Sequence, residues 1–145
     1  MASNNKEKIL SQENEIQVRV TYSNTDRMGF AYYAEYLVWF EMGRTEWLRQ
    51  TGISYKSIEE RGVLLPIRHC YCEYKAPAQY DDVLRIISRV KEITPVSITF
   101  SYQVLQQEDG KLLASGETKH AFINPQGRII KFGLKLLKEI EDLGN

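Results

Sequence analysis

One segment, residues 31–50, constrains the fold more than any other part of the sequence. Its large aromatic residues recur at helical spacing, with Tyr36, Phe40 and Trp47 on one stripe. Residues 37–40 are also apolar without interruption, so apolar character extends well around the helix. Because such a helix cannot rest on a surface by one narrow stripe, we predict a long helix over about Ala31–Gln50 that other elements largely enclose.

The segments on either side of this helix have the pattern of strands. Alternate residues from Ile16 to Tyr22 are apolar, which is typical of a half-buried strand. Because strands that follow one another directly do not form βαβ crossovers, the order favours an α+β fold, with an antiparallel sheet wrapped around the long helix. The remaining predicted elements are a short helix capped by Ser54, strands at 63–76, 82–93, 97–106 and 111–123, a hairpin turn at Asp109-Gly110, and a helix at 134–143.

Length and composition limit the class of protein. The 145 residues suit one domain, which we place at residues 15–145, after a polar and flexible N-terminal arm at residues 1–14. Nineteen basic side chains balance nineteen acidic ones, which argues against a general nucleic-acid binder. No apolar run approaches the roughly 20 residues of a membrane span, and the first residues lack a signal-peptide core. We therefore expect a cytoplasmic protein.

The two cysteines invite a metal interpretation that the sequence supports poorly. Cys70 and Cys72 lie on one face of a predicted strand beside His69, but a closed zinc site needs four ligands. Only His120 remains as a further donor, and its alternation pattern fits an ordinary strand position. We predict no metal site and assign the cysteines to packing.

Asp26 is the candidate catalytic residue, because it lies in a turn just before the long helix. A helix start offers unpaired backbone N–H groups that can stabilise negative charge on a carbonyl oxygen. A carboxylate beside it can act as a general base or as a nucleophile. Gly29 permits a close backbone turn between the two. The alternative is that Asp26 only ties the turn together by hydrogen bonds.

Two sequence blocks around this turn resemble the 4-hydroxybenzoyl-CoA thioesterase family of hotdog-fold proteins, and most closely its Tol-Pal-associated acyl-CoA thioesterases. The likeness covers roughly residues 16–125. The matching residues are Tyr22, Asn24-Thr25-Asp26, Gly29, Tyr32-Tyr33, Tyr36, Phe40-Glu41 and Arg44-Thr45-Glu46 in the first block, and residues 73–78 with Tyr80-Asp81-Asp82 in the second.

The resemblance implies a hotdog fold and hydrolysis of an acyl-CoA thioester without a cofactor. It implies that Asp26 is the catalytic acid and that the backbone N–H of Tyr33 binds the oxyanion. Met28, Gly29, Tyr32 and Tyr33 would contact the substrate. It also implies an active site between two protomers, and hence a homodimer or homotetramer.

Departures from the family pattern leave two alternatives open. Relatives usually have aspartate in place of Asn24 and often histidine in place of Tyr33, and here the segment 94–97 lacks their basic residues. The chain could therefore be a non-catalytic acyl-thioester binding module, or could act on acyl-carrier protein. Glu41 in the long helix is a second candidate acid, and we expect it to pair with Arg44 or Arg68. The candidate cations for CoA phosphates are Arg68, Arg89, Lys91 and Lys131.

Overall fold

The computed structural model describes the backbone of residues 2–144 and the side chains from Lys6 onward. Within this part of the chain, no helix has the length and apolar character needed to cross a membrane. The elements in chain order are α1 (Ala2–Leu10), β1 (Glu13–Arg19), a 3-10 helix (Tyr22–Asn24), α2 (Glu35–Gln50), α3 (Tyr55–Glu60), β2 (Ile67–Tyr74), β3 (Val83–Thr94), β4 (Ser97–Gln106), β5 (Leu112–Ala121) and α4 (Gly133–Leu143).

The five strands form one antiparallel sheet with α2 packed on one face. The strand order is β1-β3-β4-β5-β2, so β1 and β2 are the edges. The Phe40 ring of α2 stacks on Tyr102 of β4 with centroids 4.3 Å apart. Farther along the helix, the edge of Trp47 meets Phe100 at 5.9 Å. The predicted α+β arrangement, a long helix against an antiparallel sheet, is confirmed.

Two glycines allow α2 to lie close to the sheet. A Cβ at Gly116 in β5 would lie 2.6 Å from the Phe40 ring, closer than van der Waals contact permits. A Cβ at Gly43 in α2 would overlap the hydroxyl of Ser88 in β3. These close contacts fix α2 along its length and so fix where its first turn lies.

The prediction that α2 is largely enclosed is wrong for one of its faces. Leu37, Val38 and Met42 are exposed, Val38 to 48% of its surface. These three residues lie outside the stripe around Phe40 that the sheet covers, and each keeps more than a third of its surface exposed. The helix also begins at Glu35 rather than at Ala31, because residues 31–34 are held in the preceding turn.

The N-terminal residues differ from the flexible arm predicted over residues 1–14. Helix α1 lies against α4 and β3, and Ile9 is only 5% exposed. β1 begins at Glu13, inside the predicted arm. The mean polarity of this segment concealed the apolar pair at its end, Ile9 and Leu10, which packs against the core. Met1 lies outside the described residues, as does Asn145 at the other terminus.

Candidate active site

The turn before α2 is held by its own backbone hydrogen bonds. Thr25 and Ala31 form an antiparallel bridge. Between these two bridge residues, the Asp26 N–H donates to the Phe30 carbonyl at 2.8 Å. The two residues that flank the bridge are also bonded, since the Tyr32 N–H donates to the carbonyl of Asn24 at 2.7 Å. The chain therefore reverses within a few residues and enters α2 from a defined position.

The Asp26 side chain has one oxygen engaged and one available. Its Oδ1 accepts hydrogen bonds from the N–H groups of Met28 at 2.8 Å and Phe30 at 3.4 Å. Its Oδ2 has no hydrogen-bond or ion-pair partner among the residues that the structure describes. The carboxylate is half-buried. The turn-tying role weighed from sequence is therefore real, but it occupies only one of the two oxygens.

The start of α2 supplies the complementary donors. The N–H groups of Tyr33 and Ala34 donate to no acceptor in the described part of the chain, whereas the next one, of Glu35, donates to Tyr32 O at 2.9 Å. No side chain caps this helix. Two unpaired N–H groups at a helix start carry partial positive charge and can bind an oxyanion.

The predicted substrate contacts lie along the same turn. Met28, Tyr32 and Tyr33 are exposed, Tyr33 to 62% of its surface, and the rings of Tyr32 and Tyr33 lie 4.6 Å apart. Gly29 has φ +81°, a conformation that favours glycine. The turn that contains Asp26 thus presents aromatic and thioether surface to solvent.

A cavity of about 320 Å³ opens beside the helix start. Of the predicted site residues it includes Tyr33, but not Asp26 or Glu41. The residues lining it are Phe30, Ala31, Tyr33, Tyr36, Tyr74, Lys75, Ala76 and Pro77. It joins the two blocks that carry the family resemblance, since the first contributes the turn and α2 while the second contributes the end of β2.

Tyr74 was not among the predicted site residues. Its hydroxyl donates to the carbonyl of Tyr33 at 2.6 Å, and its ring meets Tyr36 edge-on at 4.9 Å. The signal that could have identified it was its place in the second matching block, directly before Lys75 and Ala76.

Glu41 lies away from the turn. It is exposed on α2, seven residues beyond Ala34, which corresponds to roughly 10 Å along a helix axis. The expected ion pair with Arg44 or Arg68 is not formed, and Glu41 has no hydrogen-bond partner among the described residues. Within one chain, the structure does not bring Glu41 together with Asp26.

Two of the four candidate cations are already paired. Arg89 binds Glu13, and Lys91 binds Glu117. Arg89 alternates with Ser88, which lies beneath α2, so its side chain is on the sheet face that α2 does not cover. Arg68 and Lys131 are exposed and form no ion pair with the described residues.

The residues considered for a metal do not converge. Cys70 and Cys72 share a face of β2, and His69 lies on the other face. The described residues contain no group of three or more histidine, cysteine or acidic side chains arranged to hold a metal ion. His120 is buried, and both of its ring nitrogens have hydrogen-bond partners. Nδ1 lies 3.0 Å from Leu65 O and Nε2 lies 2.8 Å from Thr118 Oγ1.

Comparison with known proteins assigns the chain to a family. Residues 20–141 match the model of the thioesterase-like superfamily. The chain is 32% identical over 108 residues to the acyl-CoA thioester hydrolase YbgC of Escherichia coli O6:H1, covering 74% of this chain and 80% of that protein. It is also 32% identical over 120 residues to the 1,4-dihydroxy-2-naphthoyl-CoA hydrolase of Synechococcus, covering 79% of each.

The fold agrees with a solved structure of a 4-hydroxybenzoyl CoA thioesterase mutant complexed with 4-hydroxybenzoyl CoA. The TM-score is 0.79 at 22% identity, covering 88% of this chain and 98% of that chain. A long helix on an antiparallel sheet, shared with that enzyme, defines a hotdog-fold protein. The chain belongs to the thioesterase-like superfamily, a family of thioester hydrolases, and the family predicted from the sequence is confirmed.

Proposed function

We propose that this protein hydrolyses acyl-CoA thioesters to a carboxylic acid and CoA, with Asp26 as general base or nucleophile. The names of two relatives, an acyl-CoA thioester hydrolase and a naphthoyl-CoA hydrolase, support the substrate class. The observation that supports the proposal is that one short turn contains both an Asp26 oxygen without a hydrogen-bond partner and the unpaired N–H groups of Tyr33 and Ala34, among the described residues.

Two routes fit this arrangement. In the first, Asp26 Oδ2 removes a proton from water while the water oxygen adds to the thioester carbon, and the CoA thiolate leaves and is protonated. In the second, Oδ2 itself adds to that carbon, CoA leaves, and water hydrolyses the resulting anhydride. In both, the carbonyl oxygen becomes negative and accepts hydrogen bonds from the Tyr33 and Ala34 N–H groups. A single turnover in isotopically labelled water that places label in the Asp26 carboxylate demonstrates the second route, because water oxygen can enter that carboxylate only when it attacks the aspartyl carbon of the anhydride.

The acyl group would lie along the turn and enter the cavity at the helix start. Met28, Gly29, Tyr32 and Tyr33 border this path with exposed apolar and aromatic surface. Aromatic rings provide a large contact area for either aliphatic or aromatic acyl chains. Glu41 would act only if the acyl group were presented from the exposed side of α2.

We infer further that a second copy of the chain completes the site. β2 is an edge strand, with no neighbouring strand on its outer side among the described residues, and Ile67 and Tyr71 on it are exposed. The uncovered face of α2, formed by Leu37, Val38 and Met42, adds apolar surface. An exposed edge strand and an exposed apolar helix face are each stabilised by pairing with another strand or another helix face. A homodimer, or a tetramer of two dimers, would cover both.

Introducing a charge on the uncovered face of α2 tests whether a second copy of the chain completes the site. We expect Val38→Glu to convert the wild-type dimer or tetramer into a monomer, and to lower thiol release strongly, because burying an unpaired carboxylate is costly. Light scattering measures the mass and circular dichroism checks the fold. Leu134→Glu is the matched control, since Leu134 is also exposed on a helix but lies on α4. A wild-type protein that is monomeric, or a fully active monomeric variant, contradicts the inference.

A panel of thioesters tests the activity itself. We expect the wild-type protein to release thiol from at least one acyl-CoA, measured with a thiol reagent. Saturable binding of acyl-CoA without thiol release would instead identify a non-catalytic binding module. Faster release from acyl-carrier protein than from the matching acyl-CoA would identify the carrier protein as the substrate.

A further inference from the structure

A single side chain links β2 to the peptides at the start of α2. The Tyr74 hydroxyl donates to the Tyr33 carbonyl at 2.6 Å, between residues 41 positions apart in the chain. That carbonyl belongs to the same planar peptide group as the N–H of Ala34. Since C=O and N–H of a trans peptide point in opposite directions, holding the carbonyl also aims the N–H.

The two unpaired N–H groups are thus anchored in different ways. The peptide that carries the Tyr33 N–H has its carbonyl, that of Tyr32, held by the backbone N–H of Glu35 at 2.9 Å. The peptide that carries the Ala34 N–H has its carbonyl held by Tyr74 alone among the described residues. Side-chain substitution can therefore remove the second anchor and leave the first intact.

Tyr74 is itself well placed to hold a fixed position. Its ring packs at 90° on Tyr36, which is almost completely buried in α2. Partial burial, with the Cys72 thiol nearby, raises the pKa of the Tyr74 hydroxyl above its ordinary value, so it stays a donor at neutral pH. Tyr71 provides a contrast on the same strand, because its hydroxyl donates to Glu73 at 3.0 Å, away from the turn.

We propose that Tyr74 is a positioning residue for oxyanion binding, acting through the Tyr33–Ala34 peptide. The inference rests on the proposed function and adds a component from β2 to a site otherwise built on one turn. Preorganised donors stabilise a transition state because they need no rearrangement as charge develops. Without the Tyr74 hydroxyl, the peptide loses the hydrogen bond on its carbonyl, and the Ala34 N–H spends less time directed at the carbonyl oxygen of the substrate.

Steady-state kinetics of Tyr74→Phe test this role with the acyl-CoA that the wild-type protein hydrolyses fastest. We expect kcat to fall about tenfold, the effect of one lost hydrogen bond, and KM to stay within about twofold, because the ring that lines the cavity is retained. Tyr55→Phe is the matched control, because it also removes a single tyrosine hydroxyl but lies on α3, and it should keep both parameters. An unchanged kcat in Tyr74→Phe, or a raised KM with kcat preserved, overturns the proposal.

Binding of two analogues separates oxyanion positioning from general loosening. A trifluoromethyl ketone analogue of the acyl-CoA adds water to give a tetrahedral hydrate, and transfer of one hydroxyl proton to Asp26 makes that hydrate an oxyanion, whereas the matching thioether analogue has no carbonyl. We expect Tyr74→Phe to weaken the ketone about tenfold and to leave the thioether unchanged, by calorimetry. Equal weakening of both contradicts the proposal. Absence of wild-type thiol release contradicts the proposed function instead, so the two failures are distinguishable.

Discussion

Two turns of this protein contain the same aspartate motif, but the two turns lead into different elements of the fold. In the turn before α2, Asp26 Oδ1 accepts a hydrogen bond from the N–H of Met28, two residues on, at 2.8 Å. In the turn between β4 and β5, Asp109 Oδ1 accepts one from the N–H of Lys111, also two residues on, at 2.9 Å. Local hydrogen bonding explains both turns equally and so cannot by itself identify a catalytic residue.

The two turns differ in the element to which each leads. Both contain a glycine with positive φ, Gly29 at +81° and Gly110 at +73°. After Gly110 the chain enters β5, whose backbone groups pair with β4 and β2. After Gly29 it enters α2 through the unpaired N–H groups of Tyr33 and Ala34. The comparison shows that the helix start, and not the aspartate turn, distinguishes the candidate site.

The largest expected effect is on turnover after Asp26→Asn. The amide retains Oδ1 as an acceptor for the turn but removes the basic oxygen, so the fold should persist while thiol release falls about 10²–10⁴-fold. Asp109→Asn makes the same chemical change in the other turn and should leave activity unaltered. Thiol-release kinetics and thermal unfolding measure both variants.

Equal activities of the two variants would remove the distinction between the turns. A drop in both, accompanied by lower melting temperatures, would show that the substitutions act on the fold. In either case Asp26 would lose its assigned role.

The next largest effect concerns the stability of the fold in acid. This stability sets the pH range in which activity measurements on the two aspartate variants report on folded protein. Burial, opposed by the hydrogen bond to Leu65 and aided by the nearby Arg44 charge, lowers the pKa of His120 from its ordinary 6.5 to about 4. The unfolded state therefore binds more protons between these values, so stability falls as pH falls from about 6.5 to 4. The loss amounts to about 3 kcal/mol.

Urea unfolding across this pH range tests the expectation. Replacement of His120 by glutamine should flatten the pH dependence, whereas His69→Gln should not, since His69 is exposed on β2. Identical pH profiles for wild type and His120→Gln would show that other groups cause the acid sensitivity.

The smallest effect is expected from alanine substitution of the glycine in each of the two turns. Alanine at Gly29 or Gly110 meets no atom within 4 Å, so each substitution costs only the strain of a left-handed backbone, about 1 kcal/mol. We expect equal losses of stability, by chemical denaturation, but lower activity only for Gly29→Ala. Reduced activity in Gly110→Ala would indicate that the two turns are not functionally different.

Local sequence determined the elements whose stability depends on neighbours along the chain. The apolar stripe of Tyr36, Phe40 and Trp47 faces the sheet as predicted. β4 has the predicted bounds, 97–106, and its apolar residues alternate from Ile98 to Val104 as the sequence indicated. The side chain of Ser54 caps α3 as predicted, accepting from the N–H of Ser57 at 3.1 Å.

The candidate site was accessible from sequence only in part. Asp26 and the helix start are near neighbours in the chain, so spacing and family resemblance together sufficed to place them. Tyr74 was missed because its contact with Tyr33 depends on where the edge of the sheet meets the helix. Tyr22 was predicted to face the core with the strand residues, but it is exposed and stacks on Tyr80.

Sequence alone therefore determined the periodic elements and the turn that holds Asp26, because backbone propensity and hydrophobic spacing act over a few residues. Tertiary structure decided that one face of α2 stays uncovered, that Ile9 joins the core, and that Tyr74 reaches the turn. Burial and long-range hydrogen bonds depend on which distant segments meet, and a periodic pattern records only that a residue is apolar or polar.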